Sequence, residues 1–433
     1  MPPCSSPGDQ GTRYRWYAGL PPNRGIRWWQ LMKGTVSINR SEPAGSANYS
    51  IAIGYLRASI IVVVVAVHSV LAYCSFAPLQ IPFGTRSDLW RAYPIVDSQR
   101  WAGFDPIVGF TDPYGMSLMF FLSGLFVWNS LRRKGIARFG RDRATRLGLP
   151  FAVAVAFLAP AAYYPTYLAS AAGPSLKTFL RQWFSLGKWP SGPAWFLWIL
   201  LTFDCLAAGF FLMTPEWGDR PSRWYSRVFS SPARFFWTLT AVSGIAYVPM
   251  VLAFGPARWT ACGPFMFQTS RLPHYAVWFF AGLCAGAYGI QRGVIAPDGA
   301  LAQNWLRWLG WTSAAYGVLV VVTHPAIRST APPWWGLVAA MAWVLSCTVA
   351  TLWVLAMFLR FGGTRIRVMD SLRENAYGIY LVHYLFVIWL QSFLLRAPLA
   401  ALAKGGIVFL GALALSWATV AVLRRVPGVA RVI

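Results

Sequence analysis

Residues Tyr55 to Tyr73 read Y-L-R-A-S-I-I-V-V-V-V-A-V-H-S-V-L-A-Y, an apolar run long enough to cross a bilayer. A single segment in hydrocarbon must satisfy its own backbone polar groups, so a helix is the form this run can take. The run nevertheless holds two ionisable residues, Arg57 and His68. They stand eleven positions apart, which at 100° per residue is about 20° past three full turns. Both therefore lie on one helix face, separated by a rise of roughly 16 Å. Arg57 sits at the membrane boundary, where a long cationic side chain can snorkel. His68 falls near or just past the midplane, where an ionisable group marks a functional site by default. The plainer alternative is a histidine that bonds a neighbouring helix and only packs.

The rest of the chain repeats the pattern. It is 57% hydrophobic and only 12% charged, about half the charge of a soluble protein. Lys and Arg number 38 against 13 Asp and Glu, a formal charge of +25. Such an excess often signals nucleic acid. Here the basic residues fall between apolar runs, so inner loops and anionic lipid headgroups account for them, and no nucleic-acid partner is expected. The six cysteines show no C-x-x-C spacing, so no metal or haem site is expected. Cys74 and Cys262 fall near ends on one expected side, where a disulfide is an open alternative.

The expected fold is an all-α integral membrane protein of about ten transmembrane helices. The spans fall near 56–76, 114–131, 147–168, 193–213, 235–254, 273–291, 305–323, 334–358, 376–394 and 405–422. Residues 1–50 read as a disordered cytoplasmic tail without a signal peptide, and Met32 is an alternative start. Residues 51–425 form the membrane domain and 426–433 a short cytoplasmic tail. With the N-terminus inside, 27 of the 38 basic residues face the cytoplasm, which places both termini there. The longest outer loop, about 77–113, holds Asp88, Asp97, Asp105 and Asp112. Gly282-x-x-x-Gly286 reads as a small-residue packing face. No internal repeat of the kind that marks many transporters is visible.

Three further places hold chemistry. His383, in E-N-A-Y-G-I-Y-L-V-H-Y, lies about 10 Å into the ninth span, comparable in depth to His68. The two imidazoles could flank one cavity, or His383 could simply bond a neighbouring helix. Asp204 lies within the fourth span, in W-F-L-W-I-L-L-T-F-D, and needs a partner, with Arg57 or a histidine as the candidate. The loop from Gly135 to Pro150 holds Arg138, Arg141, Arg143 and Arg146. Arg143 and Arg146, three apart, share a face, and guanidinium forks suit phosphate. A positive-inside loop contacting headgroups is the plainer reading of the same residues.

Taken together, these pieces resemble acyltransferase family 3, the multi-span O-acyltransferases of bacterial surface glycans. Arg57, ten residues, then His68 opens the pattern. It continues with F-F-L-S-G (Phe120 to Gly124), R-D-R-A-T-R-L-G-L-P, G-P-A-W-F-L (Gly192 to Leu197) and Y-G-I-Y-L-V-H (Tyr377 to His383), over about residues 51–425. G-P-F-M-F-Q (Gly263 to Gln268) looks like the branch that includes glucan-modifying succinyltransferases. Many members carry an acidic residue just before the F-F-x-x-S-G run. Here Met116-Ser117-Leu118-Met119 stands there, and Asp112 is the nearest carboxylate.

The resemblance implies a multi-pass protein of the inner (plasma) membrane. It would move an acetyl or succinyl group from cytoplasmic acyl-coenzyme A to a hydroxyl of a carbohydrate or glycolipid acceptor. The donor is a substrate, and no permanently bound cofactor is implied. His68 would act as general base, because a buried neutral imidazole can take the hydroxyl proton. Arg57 would orient the cluster or hold an acyl-donor group from the inner side, and Arg143 and Arg146 would hold the donor phosphates. Trp195, Asp204, Tyr377 and His383 would complete the substrate site. A glycan or lipid transporter without acyl transfer is the alternative, and a membrane scaffold is a third class.

Overall fold

The structure is a computed structural model. It describes residues 44–432 except 86–88, 172, 218–222, 290–291, 325–326 and 328, and gives side chains from residue 51, excluding 223–225. The tail expected over 1–50 lies outside the described residues as far as 43, as do Cys4, Met32 and Asp88.

Among the described residues, ten long helices carry the fold. They are α1 (Ala44–Val70), α2 (Asp105–Gly124), α3 (Ile136–Ser170), α4 (Trp195–Met213), α5 (Pro232–Phe254), α6 (Leu272–Tyr288), α7 (Trp305–Thr323), α8 (Trp335–Phe361), α9 (Arg367–Leu394) and α10 (Ala401–Leu423). Each coincides with a segment expected to span. Among the described residues, eight helices are long and apolar enough to cross a membrane. The other two are α6, with 17 residues, and α7, with 19. Helix α1 also takes in residues 44–50, read from sequence as tail. A hairpin of β1 (Trp259–Cys262) and β2 (Phe265–Gln268) interrupts the all-α plan, turning at Gly263 with φ +55°.

The second span begins earlier than the sequence suggests. Helical structure runs from Ala102 to Lys134, so Asp105 and Asp112 are helical residues and not loop residues. Pro106 stands in the first turn of α2, where a missing N–H costs nothing. The pairing of Cys74 with Cys262, left open by the sequence, does not occur. Both are free, Cys74 buried in the core and Cys262 exposed on β1.

Helix α2 crosses α6 at backbone contact. A Cβ on Gly124 would stand 2.1 Å from the Phe279 carbonyl oxygen, one on Gly282 2.0 Å from that of Phe121, and one on Gly286 1.9 Å from that of Leu125. The small-residue face is thus a contact surface for the F-F-L-S-G segment. Asn129 donates to the Gly286 carbonyl at 3.1 Å and secures its far end.

The helix ends group into two faces. Arg57, Arg143, Arg146, Arg360 and Arg424 lie at what we call the arginine end. The segment 74–101, the stretch 186–192 and the hairpin form the opposite, loop end. One buried ion pair holds that end together. Lys404 on α10 donates to Asp97 at 2.7 Å, each only 1% exposed, and the Asp97 N–H donates to the Ala72 carbonyl. Sequence reading had left both in loops.

Candidate active site

A cavity of about 750 Å³ opens among α1, α2, α8, α9 and the loop end. Along α1 and the turn after it, the cavity is lined from Leu56 to Leu71, fifteen steps or about 22 Å of helix. Its deep part is apolar, with Leu56, Ile60, Val64, Met116 and Phe358. Its loop-end part is polar and aromatic, with His68, Arg91, Asp112, Ser191, Trp195, Trp259, Gln268, Arg271 and Tyr384.

His68 sits in the last turn of α1, before a 3-10 turn over Leu71–Tyr73. Its Nδ1 lies 2.9 Å from the Val64 carbonyl oxygen. A carbonyl only accepts, so Nδ1 carries the hydrogen. His383 repeats the arrangement, with Nδ1 at 2.7 Å from the Tyr380 carbonyl and Nε2 at 3.4 Å from His68 Nδ1. The two backbone carbonyls thus set both imidazoles in one tautomer. His68 keeps the lone pair on Nε2, and it is His68 that lines the cavity. His383 is fully buried behind it, with ring centroids 5.2 Å apart. The expected meeting of two imidazoles occurs, but one faces the cavity and the other backs it.

One face of α9 organises the site. Tyr377 donates to the Arg146 carbonyl. That carbonyl lies in a π-helical turn, Ala144–Gly148, and Pro150 just beyond it has no N–H to offer. Tyr380 donates to the Pro193 carbonyl. The Tyr384 ring stands edge-on to His68 at 5.3 Å between centroids. Gln391 donates to the carbonyls of His68 and Ser69 at 2.9 and 3.2 Å, groups the end of α1 leaves open. The near-helical spacing of 377, 380 and 384 lies within Y-G-I-Y-L-V-H-Y, but Gln391 stands two turns beyond it, and the sequence does not name the targets.

The arginines divide differently from expectation. Arg57 does not line the cavity; it donates to the Leu122 carbonyl at 2.8 Å and lies over the Phe126 ring at 4.8 Å. It thereby caps the end of α2, where a cation is favoured by the helix dipole. Asp204 is buried at 1% exposure, and its partner is Arg143, not Arg57 or a histidine, with Nε to Oδ2 at 3.2 Å. This is a charge contact without hydrogen-bond alignment. The loop arginine reaches it because α3 and α4 pack side by side at the arginine end. Arg146 is exposed at the same end, and neither it, Arg143 nor Asp204 lines the cavity. Trp195 does, stacked with Tyr275 at 5.9 Å and edge-on to Trp259 at 5.6 Å.

Sequence reading missed a second charged element of the cavity. Asp112 on α2 accepts both terminal nitrogens of Arg271, at 2.7 and 2.6 Å, and Arg271 lies over the Trp343 ring at 4.8 Å. Helix α2 was expected to begin after Asp112, which hid the carboxylate as a loop residue. His274, fully buried beside them, contacts Ser117 at 3.1 Å and Cys347 at 3.5 Å, outside the cavity lining.

A family model described as an acyltransferase domain, that of acyltransferase family 3, matches residues 50–421. The chain belongs to that family. It is a multi-pass membrane acyltransferase. No curated protein and no solved structure gives a match to the chain. The family match takes in α2 to α9 whole and all but the outer ends of α1 and α10, so the cavity and the α9 face both belong to the acyltransferase domain.

Proposed function

We propose that this acyltransferase moves an acyl group, acetyl or succinyl, from acyl-coenzyme A to a hydroxyl of a carbohydrate or glycolipid acceptor, with His68 as general base. The observation that carries the reading is the His68 imidazole itself. Its Nδ1–H is committed to Val64, which leaves the lone pair on Nε2, and the residue lines the cavity. A hydroxyl placed there can pass its proton to Nε2 as its oxygen attacks the acyl carbon. Trp195, Trp259 and Tyr275 offer flat apolar faces beside polar groups, which suits a sugar.

The donor would come from the arginine end, which by its excess of basic residues would be the cytoplasmic one. From Leu56 to His68 the α1 wall rises about 18 Å, comparable to an extended thioester arm, and its deep part is apolar. Phosphates would stay at the boundary with Arg146, whose backbone Tyr377 holds. Arg143 is the weaker phosphate candidate because it already neutralises Asp204. Such a protein acting on surface glycans would sit in the inner membrane of a bacterium.

The test is His68→Ala in purified protein, with transfer from acetyl- and succinyl-coenzyme A to oligosaccharide acceptors followed by mass spectrometry. Loss of a positioned base should lower turnover by about 10²–10⁴ while the protein still inserts and purifies. Turnover at the wild-type rate would remove His68 as the base.

A further inference from the structure

Acyl transfer develops negative charge on the carbonyl oxygen, and a base alone does not hold it. We infer that the turn Ser191–Gly192, at the N-terminus of the helix that continues into α4, is the oxyanion site of this enzyme. The inference rests on the acyl-transfer reading with His68 as base, and it adds the group that stabilises the charge.

Three observations place it. First, the helix running from Gly192 to Met213 begins on the cavity, with Ser191, Gly192 and Pro193 all in its lining. A helix N-terminus presents unpaired N–H groups and the positive end of its dipole. Pro193 has no N–H, so the donors are those of Ser191 and Gly192. Among the described residues neither has an acceptor, while the Ser191 carbonyl already takes the Ala194 N–H at 3.1 Å. Second, Ser191 has φ −90° and ψ 0°, and Gly192 has φ +51°. Right- then left-handed residues in succession turn their N–H groups into one concavity, the anion-binding nest. Third, the Ser191 hydroxyl is unused. The residue is 3% exposed, lines the cavity, and its Oγ has no hydrogen-bond partner among the described residues. A buried hydroxyl without a partner is costly; this one is enclosed as it stands, and a turn about its Cα–Cβ bond would bring it to a substrate oxygen on the cavity wall.

The turn is held in place from several sides. Tyr380 donates to the Pro193 carbonyl, and Lys188 and Trp189 pair with the hairpin turn at Gly263. The Tyr384 ring touches both sides: it stands against His68, and a Cβ on Gly192 would lie 3.1 Å from its edge. Glycine at 192 therefore meets two demands, a positive φ and close approach to that ring.

The step balances as follows. The acceptor hydroxyl oxygen bonds to the acyl carbon as its proton passes to His68 Nε2. The carbonyl π pair moves to oxygen and is held by Ser191 Oγ–H and the N–H groups of Ser191 and Gly192. Collapse re-forms the C=O bond and breaks the bond to the leaving sulfur, which takes the proton from Nε2.

The test uses p-nitrophenyl acetate, which has the acyl carbonyl but no coenzyme A, with water as acceptor. Failure of the coenzyme A reading therefore leaves it standing. Wild type, His68→Ala, Ser191→Ala and Ser191→Cys are purified in detergent, and p-nitrophenolate release is measured against ester concentration. Removing one such donor lowers kcat by about 10²–10³. Ser191→Ala should show that loss with KM within about twofold of wild type. Ser191→Cys keeps the volume and offers only a weak S–H donor, so its kcat should also fall; it decides the matter if Ser191→Ala does not purify as a monodisperse protein. A serine variant with wild-type kcat, beside an inactive His68→Ala, overturns the oxyanion site and leaves the base intact. Wild type no faster than His68→Ala overturns both.

Discussion

The crossing of α2 and α6 sets a testable limit on how much volume the bundle accepts. Gly282→Ala would place a Cβ 2.0 Å from the Phe121 carbonyl oxygen, and Gly286→Ala one 1.9 Å from that of Leu125. Real Cβ atoms stay at least 3.0 Å from such neighbours. Both obstacles are backbone, so no side chain can turn aside. The helices must part by about 1 Å, which forfeits a quarter to a half of the attraction between facing atoms. Overpacking of this kind costs about 1–3 kcal/mol. Once one alanine has parted the helices, the second meets little further resistance. The double variant should therefore cost little more than the worse single, a large departure from additivity. Gly310→Ala on α7 is the control, because a Cβ there meets nothing within 4 Å. It should be neutral or stabilising by up to about 1 kcal/mol through helix propensity. Thermal unfolding in mild detergent, followed by tryptophan fluorescence, reads all four variants. Gly282→Ala unfolding at the wild-type midpoint, or fully additive costs in the double variant, would refute backbone contact at this crossing.

Lys404→Ala should destabilise by about 3–5 kcal/mol, because it leaves Asp97 buried and unpaired; Lys404→Met with Asp97→Leu should recover most of the loss in the same unfolding assay. Arg143→Ala should likewise lower stability by stranding Asp204, with Asp204→Asn restoring it, whereas Arg146→Ala should leave the midpoint unchanged and weaken acyl-coenzyme A binding by about tenfold to a hundredfold in calorimetry. His383→Gln should cost less turnover than His68→Ala, about tenfold or under, since its 3.4 Å contact is long and Val64 still holds His68 Nδ1. Arg271→Lys keeps the charge but loses the fork on Asp112, so its transfer rate should fall without matching the loss in Arg271→Ala.

The chain's sequence determined the class of architecture and much of the chemistry. Hydrocarbon accepts only apolar helical runs from separate segments, so the positions of the long helices follow from composition along the chain. The same selectivity makes a buried histidine conspicuous, and His68 was legible for that reason. The ordered motifs from Arg57 to His383 carried the family. What sequence could not determine was which polar groups face each other. Arg57 and His68 share a face on a wheel, yet one caps α2 and the other lines the cavity, because each meets a different neighbour along the rise. Asp204 and Arg143 are 61 positions apart, and Asp112 and Arg271 are 159 apart. Helical periodicity says which way a residue points and nothing about what stands opposite. That depends on how α2, α3, α6 and α9 pack, and packing turns on contacts such as glycine against carbonyl that single-residue patterns do not display. Pro150 shows the two levels meeting: its missing N–H is written in the sequence, but only the packed bundle brings Tyr377 to the Arg146 carbonyl in the π-helical turn before it.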